Sequence, residues 1–114
     1  MAIQTVTMRN TLATAYGAAA LFAALYTTAP GGSAGTEPSG GSPAYARKSV
    51  SWGAASASVV TGTVTFDVPT GTTIVGGGVH SAITAGTYLD GGALTSQAFA
   101  SQGTYALTLT YTQA

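Results

Sequence analysis

Few side chains in this sequence have the types that do chemistry, and their spacing argues against most reactions. Glu37, Asp67 and Asp90 are the three carboxylates, and each falls in an expected loop or turn. Glycoside hydrolysis needs two carboxyl groups flanking one bond, and a calcium site needs several converging oxygens, often from one loop. Neither spacing is present. His80 is the single histidine, which excludes a histidine-rich metal cluster. As a general base it needs an orienting acid, which only folding could bring from Asp67 or Asp90. Among Val79, Ser81 and glycines it reads more simply as a structural residue. No Gly-x-Ser-x-Gly elbow surrounds a serine. Gly76-Gly77-Gly78 lacks the Lys-Ser/Thr or Gly-x-Gly-x-x-Gly continuation of a phosphate cradle. No catalytic residue, metal ligand or cofactor site is expected.

The densest cluster of polar and aromatic chemistry lies in Gly40-Gly41-Ser42-Pro43-Ala44-Tyr45-Ala46-Arg47-Lys48-Ser49-Val50-Ser51-Trp52. The glycines give a flexible approach, and Pro43 fixes its own φ and favours an extended Ser42. Residues 45–52 read as a strand with Ala46, Lys48, Val50 and Trp52 on one face and Tyr45, Arg47, Ser49 and Ser51 on the other. Lys48 interrupts the apolar face, but a lysine stem can lie along apolar surface while its ammonium stays in water. The plain reading is an edge strand whose charges discourage unwanted pairing. The functional reading makes Tyr45, Arg47, Lys48 and Trp52 anchors for a protein partner, with Arg47 able to grip a carboxylate.

A chain of 114 residues suits one domain, here 1–114, with roughly two-thirds of its unfolded surface buried. Cysteine is absent, which excludes disulfides and thiol chemistry. Charged residues make up 5% and the formal net charge is zero. Such a surface repels neighbours weakly and suits a subunit of an assembly. Three basic residues are too few for a phosphate backbone, so nucleic acid is not an expected partner. The Ala-rich run Leu12 to Leu25 is interrupted by Thr14, Tyr16 and Gly17 and falls short of the roughly 20 residues of a membrane-spanning helix. No membrane is expected either.

These side chains must be positioned by a mostly β framework. Residues 1–10 read as an N-terminal arm or, at Ala2 to Thr7, an edge strand. Thr11 is a plausible cap for a short helix with Leu12, Tyr16 and Ala19 on one face, weakened or ended by Gly17. Leu21 to Thr28 is a buried strand, and residues 31–42 form a long Gly/Ser-rich loop. Val59 to Phe66 alternates, with Val60, Val64 and Phe66 inward and Thr61, Thr63 and Thr65 outward. A turn at Asp67-Val68-Pro69-Thr70-Gly71-Thr72 leads to a strand over 73–82. Its three glycines suggest a bulge and something packed close against the backbone. Gly86 to Leu89 should pair back, Asp90-Gly91-Gly92 should turn again, and Ala93 to Phe99 should be a further strand. Thr104 to Thr112 is the clearest strand, with Tyr105, Leu107, Leu109 and Tyr111 on one face. The pattern is mainly β: an antiparallel, jelly-roll-like β-sandwich with one short N-terminal helix. Tyr16, Tyr26, Tyr45, Trp52, Tyr88, Tyr105 and Tyr111 exceed what a small core must hold, so some are expected at an interface.

Thr27-Thr28-Ala29-Pro30-Gly31, the Gly40 to Lys48 block with Trp52, Phe66-Asp67-Val68-Pro69-Thr70-Gly71-Thr72 and Ser101-Gln102-Gly103-Thr104-Tyr105 occur in this order. Together they resemble a family of small tailed-bacteriophage virion proteins, commonly encoded by phages of actinobacteria. The chain departs from that pattern at Gly78-Val79-His80, where relatives usually carry an apolar or aromatic residue. It departs again at Tyr26, where relatives often carry histidine. The resemblance implies a non-enzymatic virion protein, made in the host cytoplasm, and carries over no catalytic residue. Such proteins are labelled either minor capsid or decoration proteins, or minor tail or fibre proteins. The leading expectation is a capsid decoration protein that binds the major capsid protein and neighbouring copies of itself as a homo-oligomer. The alternative is a tail or fibre component, and a third is a hydrolase of host-surface glycans.

Overall fold

The structure, a computed structural model, describes residues 4–113. One helix, α1 (Val6–Ala19), precedes six strands: β1 (Phe22–Tyr26), β2 (Lys48–Ser49), β3 (Val59–Val68), β4 (Thr72–His80), β5 (Tyr88–Phe99) and β6 (Gly103–Thr112). They form two antiparallel sheets, one ordered β2-β1-β4-β5 and the other β3-β6. The expected sandwich with a single N-terminal helix is present.

Most of the sandwich is one long hairpin folded across its middle. β3 pairs with β6 from Val59↔Thr112 to Val68↔Gly103, and β4 pairs with β5 from Thr72↔Phe99 onward. The residues skipped between Val68 and Thr72 match in number those between Phe99 and Gly103, so the register carries through the bend. Pro69-Thr70-Gly71 and Ala100-Ser101-Gln102 make the fold line, with Gly71 at φ +73° donating its N–H to Phe99 O at 2.7 Å. Folding the ribbon sets the apolar faces of its halves together. Val64, Phe66, Val68 and Leu107 meet Ile74, and β1 adds Ala23 and Leu25 along the edge of β4. Phe66, Leu25, Ile74 and Val68 are fully buried, each worth roughly 1.5–3 kcal/mol of transfer free energy.

The far end of the β3-β6 inner face is covered by α1. Ala13 and Gly17 are the buried residues of the helix. Tyr16 stacks on Tyr111 with centroids 3.9 Å apart, and Trp52 meets Tyr16 edge-on at 5.7 Å. A Cβ on Gly17 would stand 3.0 Å from the Trp52 ring, so the glycine that weakens the helix also lets it dock.

Several local expectations need correction. The helix begins at Val6, not after Thr11. Thr5 is the cap, its Oγ1 accepting Met8 N–H at 3.3 Å, while the Thr11 hydroxyl donates back to Thr7 O at 3.0 Å, as threonines inside helices do. Residues 6–10 are therefore helical rather than an arm or strand, and the first three residues lie outside the described residues. Gly17 does not end the helix, which runs to Ala19. Of the strand expected over residues 45–52, only Lys48–Ser49 pairs with β1, and Trp52 makes an isolated bridge to Gly62. Tyr45 and Arg47 instead turn their side chains to the 31–42 loop.

Asp90-Gly91-Gly92 is not a turn but lies within β5, with Gly77↔Gly92 and Gly78↔Gly91 as cross-strand pairs. At the Gly78↔Gly91 pair a tyrosine lies against each glycine. A Cβ on Gly78 would meet the Tyr26 ring at 2.9 Å, and one on Gly91 the Tyr88 hydroxyl at 2.5 Å. The close approach expected at the glycine run is present. The two register shifts of this pair place their extra residues on β5, opposite Ile74 to Gly76 and Val79 to His80.

Candidate interaction site

The polar side chains converge at the tip of the β4-β5 hairpin. The tip is residues 81–87, closed by Ser81 N–H to Thr87 O at 3.0 Å and Thr87 N–H to Ser81 Oγ at 2.8 Å, with Ala85 and Gly86 at positive φ. Arg47 reaches it from the residue just before β2. Its Nη1 donates to Ala82 O at 3.0 Å and Ala85 O at 2.9 Å. Its Nη2 and Nε donate to Glu37 at 2.8 and 3.1 Å. Glu37 comes from the long loop, and its Oε1 also accepts the Tyr45 hydroxyl at 3.0 Å. The Tyr45 oxygen in turn accepts Leu25 N–H from β1 at 3.0 Å. One arginine thus ties the hairpin tip to the loop, and one tyrosine ties the loop to the sheet. Beside this network lies an open groove of about 450 Å³ between Pro38, Ala46 and Ile83. Ile83, half exposed at 52%, forms its rim.

Under the tip, Tyr26 is fully buried and His80 is 3% exposed, and the tyrosine hydroxyl and His80 Nε2 are hydrogen-bonded at 2.5 Å. Tyr88 closes the group, its ring 5.6 Å from His80 and 6.4 Å from Tyr26. The two positions at which the sequence departs from the pattern it resembles are thus hydrogen-bonded to each other. Burial, then the charge of Arg47, hold the His80 imidazole below its ordinary pKa, while Glu37 pulls the other way. Burial alone would raise Glu37, but hydrogen bonds from Arg47 and Tyr45 and the guanidinium charge hold it below the usual carboxylate value. Burial pushes the Tyr26 and Tyr45 hydroxyls up. The cluster therefore holds an ion pair, a neutral imidazole and neutral phenols.

Of the four sequence-derived anchors, Tyr45 and Arg47 are brought together by Glu37, whereas Lys48 and Trp52 are not part of that network. Lys48 Nζ lies 3.6 Å from Asp67, with 38% of its side chain exposed. Trp52 Nε1 donates to Ala20 O at 2.8 Å, closing the end of α1. Arg47, expected to grip a carboxylate on a partner, grips one in its own chain. The seven aromatics counted as a surplus are all buried or half-buried, because the ribbon fold and the helix give each a ring or backbone to cover. Glu37 is the member of this network that the sequence does not single out, since nothing local to the loop points to Arg47 ten residues on. A second open cleft of about 250 Å³ lies between β5 and β6, where the Tyr16 hydroxyl donates to Asp90 at 3.0 Å. Among the described residues no group of three or more His, Cys, Asp or Glu side chains could hold a metal, and no helix is long and apolar enough to cross a membrane.

Comparison with known families gives the class: a phage virion protein of the fibre type. The chain belongs to the podophage GP4 fiber I protein gp80 family, whose model matches residues 2–111. No curated protein and no solved structure matches it. The phage structural assignment expected from the sequence stands. The capsid decoration reading finds no support, and the fibre alternative fits the family.

Proposed function

We propose that this chain is a non-enzymatic building block of a phage tail fibre. The match to a fibre family over nearly the whole chain carries this reading. The chemistry supports it, because each carboxylate is taken by a different partner within the chain: Glu37 by Arg47, Asp67 by Lys48 and Asp90 by Tyr16. No two of them share a bond as a glycosidase pair would, and His80 is held by Tyr26 rather than by an acid. A module of this kind contributes shape and rigid loops. The 31–42 loop and the hairpin tip, tied by Arg47, form its stiff end.

Copy number and position test the proposal together. Quantitative mass spectrometry of purified virions is expected to give this chain at a few per cent of the major capsid protein, with immunogold label on the tail. A ratio within a few-fold of one, with label over the shell, would overturn the fibre reading and restore decoration.

A further inference from the structure

The free edge of β6 is a seam of the kind that joins two chains. Gln113 N–H donates to Ser58 O, so the pair just beyond the ladder is a hydrogen-bonded one. Antiparallel pairs alternate. Tyr105, Leu107, Leu109 and Tyr111 therefore turn their backbone groups to β3, and Thr104, Ala106, Thr108, Thr110 and Thr112 turn theirs away. The other side of the ribbon agrees with this parity: on β3, Thr61 O is turned outward and accepts Gly53 N–H, and Val59 exchanges bonds with Ser56. Residues 52–56 thus occupy part of the outer edge of β3. Among the described residues no backbone bond reaches the five outward residues of β6.

The remaining edges carry the usual protections. β2 is two residues long and holds Lys48. β5 is interrupted by two register shifts and holds Asp90. β6 makes ten consecutive pairs with β3 without a break, and contains no charge and no proline.

We propose that two copies of this chain join along β6, antiparallel, about a twofold axis through Thr108. In that register Thr108 faces its own counterpart, Ala106 faces Thr110 and Thr104 faces Thr112, all five being residues whose backbone groups point outward. Tyr105 then lies opposite Tyr111 and Leu107 opposite Leu109, so the inner faces stay in line. The result is a four-stranded sheet, β3-β6-β6-β3, with an outer face of threonines. Self-pairing brings like residues together, which a charged strand would oppose and a neutral one permits. The inference goes beyond the fibre assignment and stands whether or not the chain resides in a tail.

The chain has no cysteine, so a single introduced one reports directly. Facing Cα atoms of a hydrogen-bonded pair lie about 5.5 Å apart, within disulfide range. Thr108→Cys is expected to give a covalent dimer on mild oxidation. Thr63→Cys, one strand further in and roughly 14 Å from its counterpart, is expected to give none. Because the Thr108 N–H faces away from β3, Thr108→Pro leaves the β3-β6 ladder intact while removing a seam donor. Wild type should sediment as a dimer and Thr108→Pro as a monomer. A monomeric wild type, or a dimer that persists in Thr108→Pro, overturns the proposal. Should the proline variant not fold, the cysteine pair decides: cross-linking at neither position, or at both equally, also overturns it.

Discussion

Arg47 and Lys48 stand side by side with the same charge. Arg47 is bonded to Glu37 at 2.8 Å with 12% of its side chain exposed, and Lys48 lies 3.6 Å from Asp67 with 38% exposed. Arg47 has a planar fork, a carboxylate that meets it and two carbonyls from the hairpin tip. Lys48 has one long contact through water-exposed space. Ion pairs of the second kind are worth about 0–1 kcal/mol, because solvent screens them and ordering two long side chains costs entropy. A pair of the first kind leaves a buried, uncompensated charge when one partner is removed. The difference teaches that placement, not charge, decides which cation holds the fold together: Arg47 is turned to the 31–42 loop and the hairpin tip, and Lys48 to one distant carboxylate at the surface.

Breaking the stronger side should have the largest effect. Arg47→Ala strands Glu37 and releases the carbonyls of Ala82 and Ala85, and a loss of about 2–4 kcal/mol is expected in urea unfolding. Hydrogen exchange over residues 81–87 should rise in the same variant, since Arg47 ties that tip down. A variant that unfolds like wild type would show that the tip is held by something else. Tyr45→Phe removes the hydroxyl that serves both Glu37 and the Leu25 N–H, and should cost about 1–2 kcal/mol for the donor left without a partner.

Acid should erode the tip in two stages. His80 is kept neutral by burial and Arg47, so its folded pKa lies below its unfolded one. Its contribution is present above the ordinary histidine value of about 6.5 and is lost as the pH falls toward the lower folded value. Glu37 is also held low, so its contribution is complete above the ordinary carboxylate value of about 4.3 and is lost as the pH falls through the folded one. Thermal midpoints measured from pH 8 to pH 3 should fall first below the histidine value and again in the carboxylate range. His80→Gln should abolish the first fall and keep the second.

The smallest change is expected at Lys48. A double-mutant cycle between Lys48→Ala and Asp67→Ala should return a coupling within about 0.5 kcal/mol, against a several-fold larger one for Arg47→Met with Glu37→Gln. Equal couplings would erase the contrast between the two cations.

Much of the framework was legible in the chain. Val59 to Phe66 and Thr104 to Thr112 alternate cleanly because one face of each is buried, and the Pro-Thr-Gly turn follows from backbone preferences alone. The helix start is ambiguous in the sequence because Thr5, Thr7 and Thr11 offer the same hydroxyl; in the fold Thr5 Oγ1 accepts Met8 N–H while the Thr11 hydroxyl donates to Thr7 O. Asp90-Gly91-Gly92 has turn composition, yet it lies within β5, where a Cβ on Gly91 would meet the hydroxyl of Tyr88 in the same strand. Tyr45 and Arg47 stand out in the sequence as chemically rich, and the partner the structure gives both is Glu37 of the same chain.

Local composition and periodicity by themselves determined that this is a neutral, cysteine-free β protein with one N-terminal helix. They also determined which residues of its best strands turn inward, because these properties depend on neighbours a few positions away. The tertiary structure alone decided that one hairpin folds over itself with its register carried through the bend, that Tyr26 meets His80, that Arg47 closes on Glu37 and the tip, and that the edge of β6 stays open. Each of these depends on where the chain returns after ten to more than fifty residues. That return is set by the packing of whole faces, which no local pattern records.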